Sequence, residues 1–138
     1  MRAFDFYARL EDNFEKAGYD KRSRDLIEDY TTAILLPSYE SCVRLLSKGN
    51  DGELLRAMIH LLQFAKNSAS ESFSNGIAAV FIANPKLVES VVLLLPPEER
   101  RVAYNELKAG WHNQVHSKRR TQRLAQLERT LERLKPRD

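Results

Sequence analysis

The chain has 138 residues, 43% of them apolar and 30% charged, with a single cysteine, Cys42. A chain of that size makes one domain and buries about two thirds of its unfolded surface, and one cysteine excludes an internal disulfide framework and any multi-cysteine zinc cluster. The net charge of +3 is uneven: residues 117–138 hold eight Lys/Arg against three acids, which leaves 14 against 16 and a slightly acidic balance for residues 1–116.

Apolar residues recur at spacings of three and four, and no sustained alternation of period two occurs, so the pattern predicts an all-α fold. The expectation is a single domain over residues 1–138, a compact multi-helix bundle or short helical-repeat array of seven or eight helices. In the first helix Ala3, Tyr7, Leu10, Phe14 and Ala17 share a face, and Gly18 supplies the stop. The second is expected over Lys21–Leu35, with Leu26, Ile27, Tyr30 and Ile34 inward and Pro37 ending it. Ser38 then caps a third helix from Tyr39 to Ser47, closed by Gly49.

Asp51 is an N-cap for Gly52–Lys66, whose wide apolar face (Leu54, Leu55, Met58, Leu61, Leu62, Ala65) suits a central helix. Phe73–Ala83 is apolar nearly all round and belongs in the middle, with Gly76, Ala79 and Ala83 as an edge where another backbone approaches closely. Asn84–Pro85 breaks it, Lys86–Leu95 follows, and Pro96–Pro97 breaks the chain again. The helix from Pro97 has Glu98 and Glu99 in its first turn, where the macrodipole favours acids, and directs Ala103, Tyr104, Leu107 and Trp111 to the core.

Past Val115 the pattern changes. HSKRRTQR has no apolar residue, and Leu124, Leu127, Leu131 and Leu134 then form a short leucine seam with Arg119, Arg123 and Arg133 beside it. This predicts a basic amphipathic helix at about 117–135 that Pro136 closes. Facing its leucines toward the domain's own core is the expected arrangement. Lys118, Arg119 and Arg120 would be disfavoured in the first turn of a helix beginning at Ser117. Either the helix from Pro97 runs on through Ser117, or the cations are held for an anionic partner. A loose internal echo, ILLPSYESCVRLL at 34–46 and LLLPPEERRVAYNEL at 93–107, would follow from helix pairs joined by proline turns.

His112 and His116 are four apart, so on a helix both imidazoles face one side, as two metal ligands would. A zinc-protease helix needs Glu directly after the first histidine, and Asn113 stands there. No third ligand is near in sequence, so no metal and no cofactor are expected. Cys42 has no histidine neighbour and reads as a small core residue. Glu28–Asp29 and Glu98–Glu99 are adjacent helix residues that do not face each other. No glycine-rich phosphate loop occurs. The chain is not expected to be an enzyme.

The start, MRAFDFYARLEDNFEK, has acids where a secretory leader has its apolar core, so a cytoplasmic protein is expected, or a periplasmic one if a leader has been removed. The most apolar region, Ile77–Leu95, is interrupted by Asn84, Pro85, Lys86 and Glu89, and no membrane association is expected.

The stretch AVFIANPKLVESVVLLLPPEERRVAYNEL, residues 79–107, resembles the helix, Asn-Pro, short helix, Leu-Pro-x-Glu-Glu, helix pattern of small all-helical HEAT-like bacterial immunity proteins, which neutralise a toxic effector from a neighbouring cell. The resemblance covers about a fifth of the chain. It implies a non-catalytic binding protein that occludes its partner, and it carries over no binding residue. The expected function is therefore a protein-interaction module, immunity-type or regulatory, whose surface is formed by Arg119, Arg120, Arg123, Arg133, His112 and His116 and whose partner is another, acidic, protein. The alternative is a nucleic-acid-binding accessory protein that sets the same cations on phosphate.

Overall fold

The computed structural model describes residues 2–17, 21–64 and 69–137. Among these the chain is all-α. Its helices are α1 (Arg2–Ala17), α2 (Lys21–Tyr30), α3 (Leu36–Lys48), α4 (Gly52–Leu61), α5 (Ala69–Ala83), α6 (Pro85–Val92), α7 (Pro97–Val115) and α8 (Gln122–Arg133), and a π-helical turn, Thr31–Leu35, joins α2 to α3. Tyr30, Leu35 and Leu36 at these junctions all keep right-handed helical angles, so α2, the π turn and α3 run on as one rod.

That rod corrects the expected stop at Pro37. In a regular helix the proline ring would strike the carbonyl of residue 33, and its missing N–H would leave a gap in the ladder. Here the ladder widens just before the proline: the N–H of Leu36 donates to the carbonyl of Thr31, five residues back, and Pro37 follows in the first turn of α3. A π turn takes in an extra residue, which relieves such a clash without ending the helix. The proline echo between residues 34–46 and 93–107 is therefore not structural. Pro37 lies inside a rod, whereas Pro96, extended at φ −55° and ψ 152°, caps a true break before α7.

The same turn re-aims side chains. Ile27, Thr31 and Leu35 are buried, whereas Leu26 is 53% and Ile34 48% exposed, so the inward placing of Leu26 and Ile34 is also corrected. A helix drifts about 40° over each four-residue step. The wider turn takes up that drift, leaving Leu26 and Ile34 exposed one turn before and one turn after the half-buried Tyr30.

Two helices form the centre: α5, apolar nearly all round, and α4, with its wide apolar face. Phe73, Ile77, Ala78, Val80 and Phe81 of α5 are buried, and α5 packs most extensively against α7 and then α3. In α4, Leu55, Met58, Ile59 and Leu61 are buried. Its helix ends at Leu61, short of the expected Lys66; a turn continues to Phe64, and Ala65 and Lys66 lie outside the described residues, as does Gly18. Conversely α5 begins at Ala69, a turn before the expected Phe73. Four aromatic rings tie α1, α3 and α5 together: Tyr39 lies 4.6 Å from Phe73 and 5.8 Å from Phe4, and Tyr7 meets Phe73 edge-on at 5.9 Å. Phe14 and Ala17, expected on the α1 core face, are not among the described side chains.

Helix ends are closed by side chains. The Asp51 carboxylate accepts the N–H of Leu54 at 3.0 Å, as an N-cap does. The Asn84 amide donates to the carbonyls of Leu46 (3.1 Å) and Gly49 (2.9 Å), closing the end of α3 from the α5–α6 break. No helix among the described residues is long and apolar enough to cross a membrane.

Candidate functional site

The basic segment after α7 forms a corner. α7 ends at Val115, the N–H groups of His116 and Lys118 donate back to the carbonyls of His112 and Val115, both at 3.0 Å, and the chain then extends. Thr121, at φ −115° and ψ 166°, caps α8 with its hydroxyl oxygen, which accepts the N–H of Leu124 at 3.2 Å. The helix from Pro97 therefore neither continues through Ser117 nor restarts there. It restarts at Gln122, one turn later than expected, so Lys118, Arg119 and Arg120 lie in the turn ahead of the Thr121 cap and not in the first turn of α8.

Arg123 is the one cation in the first turn of α8, and it points away from that end. Its guanidinium donates to the carbonyl of Ile82 at 2.7 Å, in the last turn of α5, where a cation is favoured. Arg133, about 15 Å along α8 by helical rise, pairs with Glu89 of α6 at 3.1 Å and also donates to Thr130. Both arginines fasten α8 to the body. Arg120 reaches the Glu128 carboxylate at 2.7 Å. Arg119 is exposed, with no side-chain partner among the described residues.

His112 on α7 and His116 at its C-cap are exposed, their rings stacked with centroids 5.7 Å apart. The Nδ1 of His116 faces the carbonyls of His112 and Asn113 at 3.2 Å each, so a proton on Nδ1 satisfies it. Among the described residues no group of three or more His, Cys, Asp or Glu is placed to hold a metal ion. His60 lies on α4, where its ring nitrogen is 3.9 Å from the Glu99 carboxylate. Cys42 is half-buried on α3, and burial pushes its thiol above its ordinary value.

The six residues singled out in the sequence therefore divide. His112, His116, Arg119 and Arg120 share the α7–α8 corner, whereas Arg123 and Arg133 hold helices together. The leucine seam lies on the body: Leu127, Leu131 and Leu134 are buried and Leu124 half-buried, each full burial being worth about 1.5–3 kcal/mol. The outer face of α8 carries Gln126, Arg129 and Glu132, with Glu128 half-buried beside them, so it mixes both signs of charge.

Sequence reasoning missed Arg100. Its guanidinium closes the end of α8, donating to the carbonyls of Leu134 (3.0 Å), Arg133 (3.2 Å) and Lys135 (3.3 Å). A cation more than thirty residues from its acceptors leaves no local signal. Compared with protein-family models, with curated proteins and with solved structures, the chain matches none.

Proposed function

We propose that this chain is a non-enzymatic protein-interaction module that binds an acidic partner protein through the α7–α8 corner. One observation carries the reading: Lys118, Arg119 and Arg120 stand exposed in a turn held by backbone hydrogen bonds at its start and the Thr121 cap at its end, beside the exposed pair His112 and His116. A held turn presents its cations at little entropic cost on binding. Occlusion of the partner, as in the immunity-type proteins that residues 79–107 resemble, is the regulatory form of this proposal.

Two features support a non-enzymatic reading. Cys42 is held toward its thiol form by burial, and the thiolate is the nucleophile. Ser74, whose hydroxyl lies between the Ser70 carbonyl and the Glu106 carboxylate, is 3% exposed beneath the α5–α7 crossing, out of a substrate's reach.

Nucleic acid is the second reading, and the ion pairs favour protein over it. Phosphate on the α8 side of the corner would have to displace Glu128 from Arg120, and it would meet Glu132 along the same face. Backbone phosphate binding works through many free converging cations. A protein partner can match alternating charge.

The test is capture of partners from the native cell by wild type and by a Lys118→Ala/Arg119→Ala/Arg120→Ala variant, after nuclease treatment. Arg123 and Arg133 are left intact because they hold α8. Loss of one acidic protein from the variant, at an unchanged melting temperature, is expected. Recovery of the same proteins by both, or loss of all binding on nuclease treatment, would remove the proposal.

A further inference from the structure

A recess of about 420 Å³ opens where α3, α5 and α7 meet, and none of the corner's cations lines it. Its floor is apolar, with Tyr39 and Val43 of α3 set against Gly76 and Ala79 of α5. The two small residues make the room. A β-carbon on Gly76 would lie 2.6 Å from the Tyr39 ring, and Ala79, almost one turn further on, adds only a methyl group. Small-molecule sites between packed helices have this form: about 300–1,000 Å³, mostly apolar walls and a few convergent polar groups.

The fold leaves four of the polar groups around the recess without partners. Glu40 and Arg44 stand one turn apart on α3, a spacing at which acid and base ordinarily pair. Here they do not. Arg44 donates to the Ser41 hydroxyl at 3.1 Å, and neither charge has an ion-pair partner among the described residues. The half-buried Asn75 and Gln114, from α5 and α7, are held in place. The Asn113 amide donates to the Asn75 side-chain oxygen, and the Gln114 amide to the Asn75 carbonyl, both at 3.1 Å. The Asn75 amide nitrogen and the Gln114 amide oxygen then remain, one donor and one acceptor with no hydrogen bond among the described residues.

These groups restrict the ligand. A phosphate compound would meet the Glu40 carboxylate, and a polyamine the Arg44 guanidinium. A wholly apolar compound would cover two half-buried amide groups and give no hydrogen bond in return. We infer that the recess binds a free α-amino acid with a large apolar side chain. Its side chain lies on Tyr39, Val43 and Ala79, its ammonium group on Glu40 and its carboxylate on Arg44. The Asn75 amide adds a donor to the carboxylate and the Gln114 amide an acceptor to the ammonium group. Glu40 and Arg44 are about 6 Å apart along the helix axis, a span that their side chains close around one zwitterion. The site does not rest on the α7–α8 corner and performs no chemistry.

The test titrates the full chain with L-phenylalanine, N-acetyl-L-phenylalanine and L-phenylalaninamide and follows the methyl and ring NMR signals. L-Phenylalanine is expected to shift Tyr39, Val43 and Ala79, to saturate below about 10 mM, and to bind about three- to fivefold more tightly than either derivative. Two exposed substitutions separate the charges. Glu40→Gln is expected to weaken L-phenylalanine by that factor and leave the N-acetyl derivative unchanged, and Arg44→Gln to weaken it equally and leave the amide unchanged. Equal affinity for all three compounds, no saturation in that range, or shifts confined to residues outside the recess would overturn the inference. So would equal weakening of every ligand by either substitution.

Discussion

Gly110 of α7 lies directly on the carbonyl of Ser74 in α5: a β-carbon added to it would sit 2.1 Å from that oxygen and 2.9 Å from the β-carbon of Ala78. The most extensive helix contact in the molecule thus closes on a glycine. Because the obstacle is backbone, no rotamer change can make room. Gly110→Ala is expected to cost at least about 3 kcal/mol, the upper range for overpacking, read as a fall in the denaturant midpoint. Gly52 is the control. A β-carbon there would lie 3.4 Å from a Val91 methyl group, an ordinary contact, and Gly52→Ala is expected to be neutral or to stabilise by up to about 1 kcal/mol.

Arg100 holds the far end of α8 through three carbonyls. Arg100→Met keeps the aliphatic stem and removes the donors. The expected loss is about 1.5–3 kcal/mol, the range for hydrogen bonds to a charged group. Hydrogen exchange locates it: protection should fall first in α8, while α5 keeps the global value. Equal loss of protection in both helices would mean that α8 does not open separately.

The Thr31 hydroxyl is buried without a hydrogen-bond partner among the described residues. An unsatisfied buried polar group costs about 1–3 kcal/mol. Thr31→Val keeps the shape and is expected to stabilise the protein by about 1 kcal/mol, measured by chemical denaturation. Destabilisation would show that the hydroxyl is satisfied in solution.

Alkaline stability turns on Tyr39. Its phenol is fully buried and held well above its ordinary value of 10.0, first by burial and then by the nearby Cys42 and Glu106. Above pH 10 the unfolded chain releases this proton and the folded chain keeps it, so the unfolded state binds fewer protons and stability falls as pH rises. Denaturant midpoints between pH 9 and 11 should therefore fall less steeply for Tyr39→Phe than for wild type. The variant starts lower at neutral pH, because it loses the hydrogen bond to the Phe73 carbonyl.

Most of the fold was legible in the sequence because its signals are local. Asp51, Pro97 and the acids after it, the Asn84–Pro85 break and the all-round apolarity of residues 73–83 each act within a turn or two of themselves. Pro37 misled because its effect depends on whether the ladder can widen before it, and with it went the placing of Leu26 and Ile34. Gly110 carries no local signal of its role: in sequence a glycine inside α7 only lowers helix propensity, and its reason is the Ser74 carbonyl, on another helix. The candidate site was half legible. The cations of residues 118–120 and the histidine pair stand out in the chain, but which arginines stay free depended on Ile82 and Glu89, more than forty residues away from Arg123 and Arg133 respectively.

The most direct measurement is photo-crosslinking in the native cell from a photoreactive phenylalanine analogue in place of Arg119, with the same analogue in place of Leu45, which is exposed on α3, as the comparison. The account predicts one acidic protein joined at position 119, absent at position 45 and unaffected by nuclease. Adducts to nucleic acid at 119, or the same adducts from both positions, would contradict it.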